Sequence, residues 1–265
     1  MIDENKLLLA GIQDKYENFL DYYALVSTDF MSLPQQSVCS QFLRQMLGVR
    51  GWLYGGYEDA ERRMLIFMPD YIDVNNEAEL MEYFAENPDE CPLVILSLTY
   101  KAGAGAKELG HRDYLGSILG EGIKREKIGD ILVRPGGAQV IAERNIAEYL
   151  ALHYGKAGRT TLEAEILPIS QVDSGIVKKE EMRTSVASPR LDNVVSAVFN
   201  VSRKDAVTAI NKGRVFVNDI ENNKPDYTLK DGEKLVLRGK GKAIYKGTSG
   251  TSKKGKTYIT VEKYV

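Results

Sequence analysis

A chain of 265 residues has room for two or three small domains; its 43% hydrophobic and 27% charged content is ordinary for a globular protein. No apolar run approaches the roughly 18 residues that cross a bilayer, the acidic start MIDENKLLLAGIQDKYENF lacks the basic opening and cleavage site of a secretory leader, and Cys39, Cys91, His111 and His153 make neither a disulfide framework nor a metal cage; a reducing cytoplasm with no metal and no cofactor is expected. The formal charge of −2 hides an asymmetry: residues 188–265 carry 16 Lys+Arg against 8 Asp+Glu, a net of +8, and the first 187 carry 19 against 29, a net of −10, so an anionic partner is expected at one end.

Residues 1–88 read as an acidic α+β domain. Leu8, Leu9, Ile12, Tyr16 and Phe19 share one side of a helix over Lys6–Tyr23, and a second helix is predicted over Pro34–Leu47, stopped by Gly48. Trp52–Tyr57 and Met64–Met68 read as strands around the polar turn 58–63, and Glu77–Phe84 as a short amphipathic helix. The carboxylates here are scattered, with no general acid/base pair at catalytic spacing, so no catalytic residue is assigned.

Residues 89–170 alternate differently. Pro92–Leu98 is a continuous apolar strand, Glu108–Leu119 a helix, Ile128–Val133 and Ala138–Ile141 strands around the turn 134–137, Glu143–Tyr154 a helix and Leu162–Leu167 a strand. The order βαββαβ predicts a ferredoxin-like (RRM-like) sheet with two helices on one face. RNA-stacking aromatics are not evident on its central strands, so its sheet face need not bind bases. The run Gly103-Ala104-Gly105-Ala106-Lys107 lacks both the dinucleotide and the Walker spacing and reads as a loop. Lys124, Arg125 and Lys127 are candidates for a secondary RNA surface, weighed against a solvated loop.

Residues 171–187 read as a linker, and residues 188–265 as the basic module. Ser188 and Pro189 are placed to open a helix whose Leu191, Val194, Val195, Val198 and Phe199 share one face. Ser202 and Asp205 have capping-box spacing, Ala206, Val207 and Ile210 continue an apolar stripe, Gly213 supplies the stop, and Arg214–Asn218 reads as a strand. Arg203 and Lys204 sit where the helix dipole disfavours cations, which makes sense if a phosphate docks there. After a turn at 221–225, Lys234–Arg238 reads as a strand and Lys240–Lys246 with Lys256–Lys263 as a final hairpin. Its tip, 247–255, is expected to be mobile until Lys253, Lys254 and Lys256 meet a phosphate backbone.

Arg190-Leu-Asp192, Ser202-Arg203, Ala206, Ile210, Lys212-Gly213-Arg214-Val215, Val217-Asn218 and Asp231-Gly232 together resemble the S-four (alpha-L) RNA-binding domain over about 50 residues. Asn200-Val201 departs from the small turn usual there. The whole chain resembles the bacterial YlmH family, whose middle-domain signature is matched by His111–Gly116, Gly122–Arg125 and Ile128–Leu132. The resemblance implies a ribosome-associated RNA binder with no known catalytic activity, implicated in handling large subunits blocked by peptidyl-tRNA and genomically linked to cell division. It carries over Arg190, Arg203, Lys204, Lys212, Arg214 and Asn218 as contacts to rRNA or tRNA; Lys240, Lys242, Lys253, Lys254 and Lys256 are secondary candidates.

The fold expectation is therefore α+β with three small domains. The alternatives are an RNA-modifying enzyme (a pseudouridine synthase or methyltransferase, whose catalytic Asp cleft or Gly-rich loop is not found) and a protein-interaction scaffold in cell division. A protein partner is left open for the acidic domain.

Overall fold

The order of apolar residues along two strands organises the first half of the molecule. The computed structural model describes residues 4–46, 48–100, 108–175, 179–251 and 255–264, and the chain divides into two compact units, Met1–Ser174 and Gly175–Val265. In the first unit, α1 (Glu4–Tyr22), β1 (Val26–Ser27), α2 (Leu33–Leu43), β2 (Gly51–Tyr54), β3 (Met64–Phe67) and α3 (Glu77–Glu86) come first. They are followed by β4 (Leu93–Thr99), α4 (His111–Gly120), β5 (Ile128–Arg134), β6 (Gly137–Glu143), α5 (Arg144–His153), the small hairpin β7 (Lys156–Ala157) and β8 (Thr160–Thr161), and β9 (Glu163–Pro168).

The order β5-β6-β4-β9, antiparallel throughout, is the expected ferredoxin-like sheet. Side chains alternate across a strand, and on β4 both sets are apolar. Val94, Leu96 and Leu98 pack with Tyr114 and Ile118 of α4 and Ala147 and Leu150 of α5. Leu93 and Ile95 join Ile141 of β6 in a second core with Met64, Ile66, Leu80 and Phe84. The continuous apolar run in β4 thus reflects burial on both faces. Each such Leu or Ile contributes roughly 1.5–3 kcal/mol relative to exposure.

The N-terminal sheet, β1-β3-β2, is sandwiched in the same way. Met64 and Ile66 of β3 face the shared core, while Leu65 and Phe67 pack with Ile12 and Phe19 of α1 and Cys39 of α2. Gly129 permits the two sheets to meet: a Cβ there would lie 2.7 Å from the Phe30 ring. Polar contacts lock the same seam. Asp130 accepts hydrogen bonds from the Tyr57 hydroxyl (2.8 Å) and the Glu61 and Arg62 amides (2.6 and 3.1 Å). Arg62 donates to the carbonyls of Ile128 (3.0 Å) and Phe30 (2.9 Å). Burial and the Asp130 charge push the Tyr57 hydroxyl up, so it stays protonated and able to donate.

The second unit comprises β10 (Lys179–Val186), α6 (Leu191–Val198), α7 (Arg203–Asn211), β11 (Val215–Val217), β12 (Ile220–Glu221), β13 (Lys234–Leu237), β14 (Gly241–Thr251) and β15 (Thr257–Tyr264). Its sheet runs β10-β15-β14-β13-β11-β12, and α6 and α7 cover one face through Leu191, Val194, Val195, Val198, Ala206 and Ile210.

Four expectations change. The 171–187 stretch read as a linker contains β10, an edge strand paired with β15 from Lys179↔Tyr264 to Val186↔Thr257, with Met182 and Val186 packed on the core. The helix expected to be capped at Ser188 starts at Leu191 with Arg190 as its cap. Backbone pairing delays it: the Leu191 amide donates to Tyr227 and the Leu229 amide to Pro189. The helix predicted to Leu47 ends at Leu43, with Leu47 outside the described residues. The expected hairpin tip is ordered strand as far as Thr251; Lys253 and Lys254, like residues 101–107, lie outside the described residues.

Asp130→Ala strands two backbone amides and a phenol in the seam of the first unit, and is expected to cost about 2–4 kcal/mol in urea unfolding of the full chain. A cost within about 0.5 kcal/mol would show that the seam does not depend on it.

Candidate nucleic-acid interface

The second unit carries 19 Lys+Arg against 10 Asp+Glu, a net of +9, and the first carries 16 against 27, a net of −11. Within the basic unit, α7 is fixed at both ends. The Ser202 hydroxyl oxygen accepts the Asp205 amide (3.0 Å) and donates to its carboxylate (2.7 Å). At the other end Gly213, at φ +64°, turns the chain while its amide donates to Ile210 and the Arg214 amide to Ala209. That paired closure satisfies the last carbonyls.

Asp192 in the first turn of α6 is 1% exposed. It accepts from Arg190 Nε (3.2 Å) and from Arg203 Nε and Nη2 (3.0 and 2.9 Å). Burial alone would raise this carboxyl; the hydrogen bonds from Arg203 and Arg190 outweigh it and hold the pKa below the usual aspartate value. One carboxylate therefore holds two guanidiniums, while the Arg190 and Arg203 side chains remain 41% and 61% exposed. The arrangement presents donors already fixed in place for an anion, with one net positive charge.

A half-open cavity of about 340 Å³ lies between α7 and the strands. Val201, Ala209 and Leu237 give it apolar walls, and Lys212, Arg214 and Lys240 line it together with Thr208 and Asp205. Arg214 is steadied by a 3.0 Å bond from Nη2 to the Arg238 carbonyl. Lys204 is exposed on the first turn of α7. The structure therefore brings Lys212 and Arg214 together with Lys240, which sequence reasoning held as secondary, and holds Arg190 and Arg203 together through Asp192.

The remaining candidates are placed differently. Asn218 and Asp219, at φ 51° and 63°, form the two-residue turn between Val217 and Ile220. Positive φ at both positions is the hairpin geometry that Asn and Asp tolerate. The Asn218 carboxamide oxygen accepts the Lys234 amide at 2.9 Å, so this residue shapes the turn. Lys242 lies on the other side of the sheet, 5.9 Å from the Tyr264 ring, and Lys256 is exposed just before β15.

In the first unit Lys124 is exposed. Arg125 donates to the Ile128 and Gly129 carbonyls, and Lys127 is paired with Asp29 (2.6 Å) and Glu143 (3.0 Å). Two of these three cations thus brace the fold. Burial pushes the Cys39 and Cys91 thiols up to about 12, which leaves neither poised as a nucleophile. Among the described residues no group of three His, Cys, Asp or Glu could hold a metal ion, and no helix is long and apolar enough to cross a membrane.

Three family models match the chain: "YlmH, N-terminal" over residues 4–72, "Putative RNA-binding domain in YlmH" over 89–171, and "S4 domain" over 189–235. A curated relative, "Ribosome-associated protein quality control protein P2" of Bacillus subtilis (strain 168), is 28% identical over 243 residues, covering 92% of this chain and 89% of the relative. A solved structure, "Cell division protein ylmH from Streptococcus pneumoniae", is 20% identical with a TM-score of 0.49, covering 64% of this chain and 95% of that one.

The Asp192 arrangement has a pH signature. Its folded pKa lies below the unfolded value of about 3.9, so its stabilisation is fully present above that value and is lost as pH falls through the lower folded one. Asp192→Asn is expected to lower stability by about 1–2 kcal/mol at neutral pH, and the difference from the parent to shrink in unfolding curves taken near or below about pH 3. A difference that stays constant with pH would mean that ion pairing is not its source.

Proposed function

We propose that the chain, which matches YlmH and S4 domain models along its length, is a YlmH-like protein that binds structured ribosomal RNA or tRNA on the ribosome, without catalysing a reaction on it. The observation that carries this reading is the basic corner around α7. Arg190 and Arg203 are held by one buried aspartate, and Lys212, Arg214 and Lys240 line a cavity along α7, in a unit of net charge +9. Arg190 and Arg203, fixed at the N-terminal ends of α6 and α7, suit phosphate backbones by position and charge, which supports recognition of RNA shape over sequence.

The ribosomal setting is supported by the Bacillus relative, whose name places that protein in ribosome-associated quality control. The noncatalytic reading is supported by the engagement of reactive groups within the fold: Asp130 accepts three hydrogen bonds, and both thiols are buried and protonated. Most of the first unit's net charge of −11 lies in residues 1–88, with 6 Lys+Arg against 15 Asp+Glu, which disfavours a phosphate backbone there. In this reading the first unit selects the site or meets a protein partner, and the chain works in the cytoplasm.

The double substitution Lys212→Ala with Lys240→Ala removes two phosphate contacts. In a filter-binding salt series it is expected to weaken binding to RNA hairpins of different sequence alike, and to make the slope of log affinity against log salt shallower by about 2. An unchanged slope would place the RNA elsewhere.

A further inference from the structure

The sheet of the second unit has a second face, opposite α6 and α7. Ile259 and Val261 of β15 point into the core, so alternation puts Tyr258, Thr260, Glu262 and Tyr264 on the other side. The register with β10 sets Lys179 opposite Tyr264 and Arg183 opposite Thr260, diagonal to Tyr258. The contacts follow. The Arg183 guanidinium lies 4.9 Å from the centre of the Tyr258 ring, Lys179 Nζ 4.9 Å from that of Tyr264, and Lys242 Nζ 5.9 Å from Tyr264 on the β14 side. Arg183 also donates to the Ser249 carbonyl at 3.3 Å, which holds its plane across the sheet. Acids are present too: Glu181 sits opposite Glu262, and Glu262 is paired with Lys246 at 3.3 Å. With Lys179, Arg183, Lys242 and Lys246 against Glu181 and Glu262, this part of the face keeps a net positive charge.

From this geometry we infer that the β10-β15-β14 face is a second RNA-binding surface, one that takes unpaired nucleotides. Tyrosine rings and an arginine plane are stacking partners for bases, tolerant of sequence, and neighbouring lysines meet the phosphates. Tyr258 and Tyr264 are six residues apart on one strand, about 20 Å, a span suited to an extended single strand and poorly suited to two adjacent stacked bases. β10, β14 and β15 lie outside the residues matched by the S4 model, so the S4 helices and this face are separate surfaces on one sheet. The inference rests on the RNA-binding reading above and adds a chemically different class of RNA site.

The test uses the full chain with two probes, an oligouridine long enough to span both tyrosines and a fully paired RNA hairpin. Tyr258→Ala with Tyr264→Ala is expected to weaken oligouridine binding about ten-fold or more and to leave hairpin binding within about two-fold. Tyr258→Phe with Tyr264→Phe keeps the rings and is expected to retain oligouridine binding, which separates stacking from loss of fold. The Lys212→Ala, Lys240→Ala protein is expected to lose hairpin affinity while its oligouridine binding still depends on the tyrosines. Oligouridine binding that is absent in the parent, or unmoved by the alanine pair, overturns the inference and leaves the α7 site standing. Hairpin binding unmoved by the lysine pair, with tyrosine-dependent oligouridine binding intact, overturns the α7 site alone.

Discussion

The two-sided burial of β4 is the constraint on which the division of labour in this molecule depends. A sheet face can serve as a base-stacking platform or as core, and in the first unit both faces of the ferredoxin-like sheet are core. Val94, Leu96 and Leu98 lie under α4 and α5; Leu93 and Ile95 lie under the N-terminal sheet and α3. The polar seam of Asp130, Tyr57 and Arg62 then fixes the N-terminal region in that position. Several residues of the family-like middle-domain signature are architectural for this reason. Gly129 admits Phe30, Asp113 accepts the Gly110 amide at the start of α4, and Arg125 holds the turn into β5.

With that face closed and residues 1–88 acidic, the proposed nucleic-acid surface lies in the basic unit. There a single buried carboxylate has the organising part. An isolated buried aspartate is costly, and Asp192 is tolerated because Arg190 and Arg203 reach it from two different elements. The same bonds restrict two long, flexible side chains before any ligand arrives, which lowers the ordering cost of binding. In the proposed reading stability and recognition meet at this point, whereas Lys212 and Lys240 stand on the cavity edge.

Much of this was legible in the sequence where the signal is local. The Ser202–Asp205 cap, the Gly213 stop and the apolar stripes of α6 and α7 follow from residues within a few positions of one another. So does the βαββαβ order. What was missed depends on distant partners. Lys127 looks like a free loop cation until it meets Asp29, 98 residues away. The strand at 179–186 is mostly polar, with Met182 and Val186 turned to the core, and it pairs with the far end of the chain. Asn218 is a different case: the Asn-Asp pair between apolar residues is itself a hairpin-turn signal, readable from the sequence alone.

The central claim, that RNA meets the basic corner of the second unit, is tested most directly by ultraviolet crosslinking of the intact protein to ribosomes, followed by mapping of the crosslinked peptides. The account predicts crosslinks concentrated in residues 190–214 and 237–242 and sparse in residues 4–92. Crosslinks confined to the first unit would contradict it.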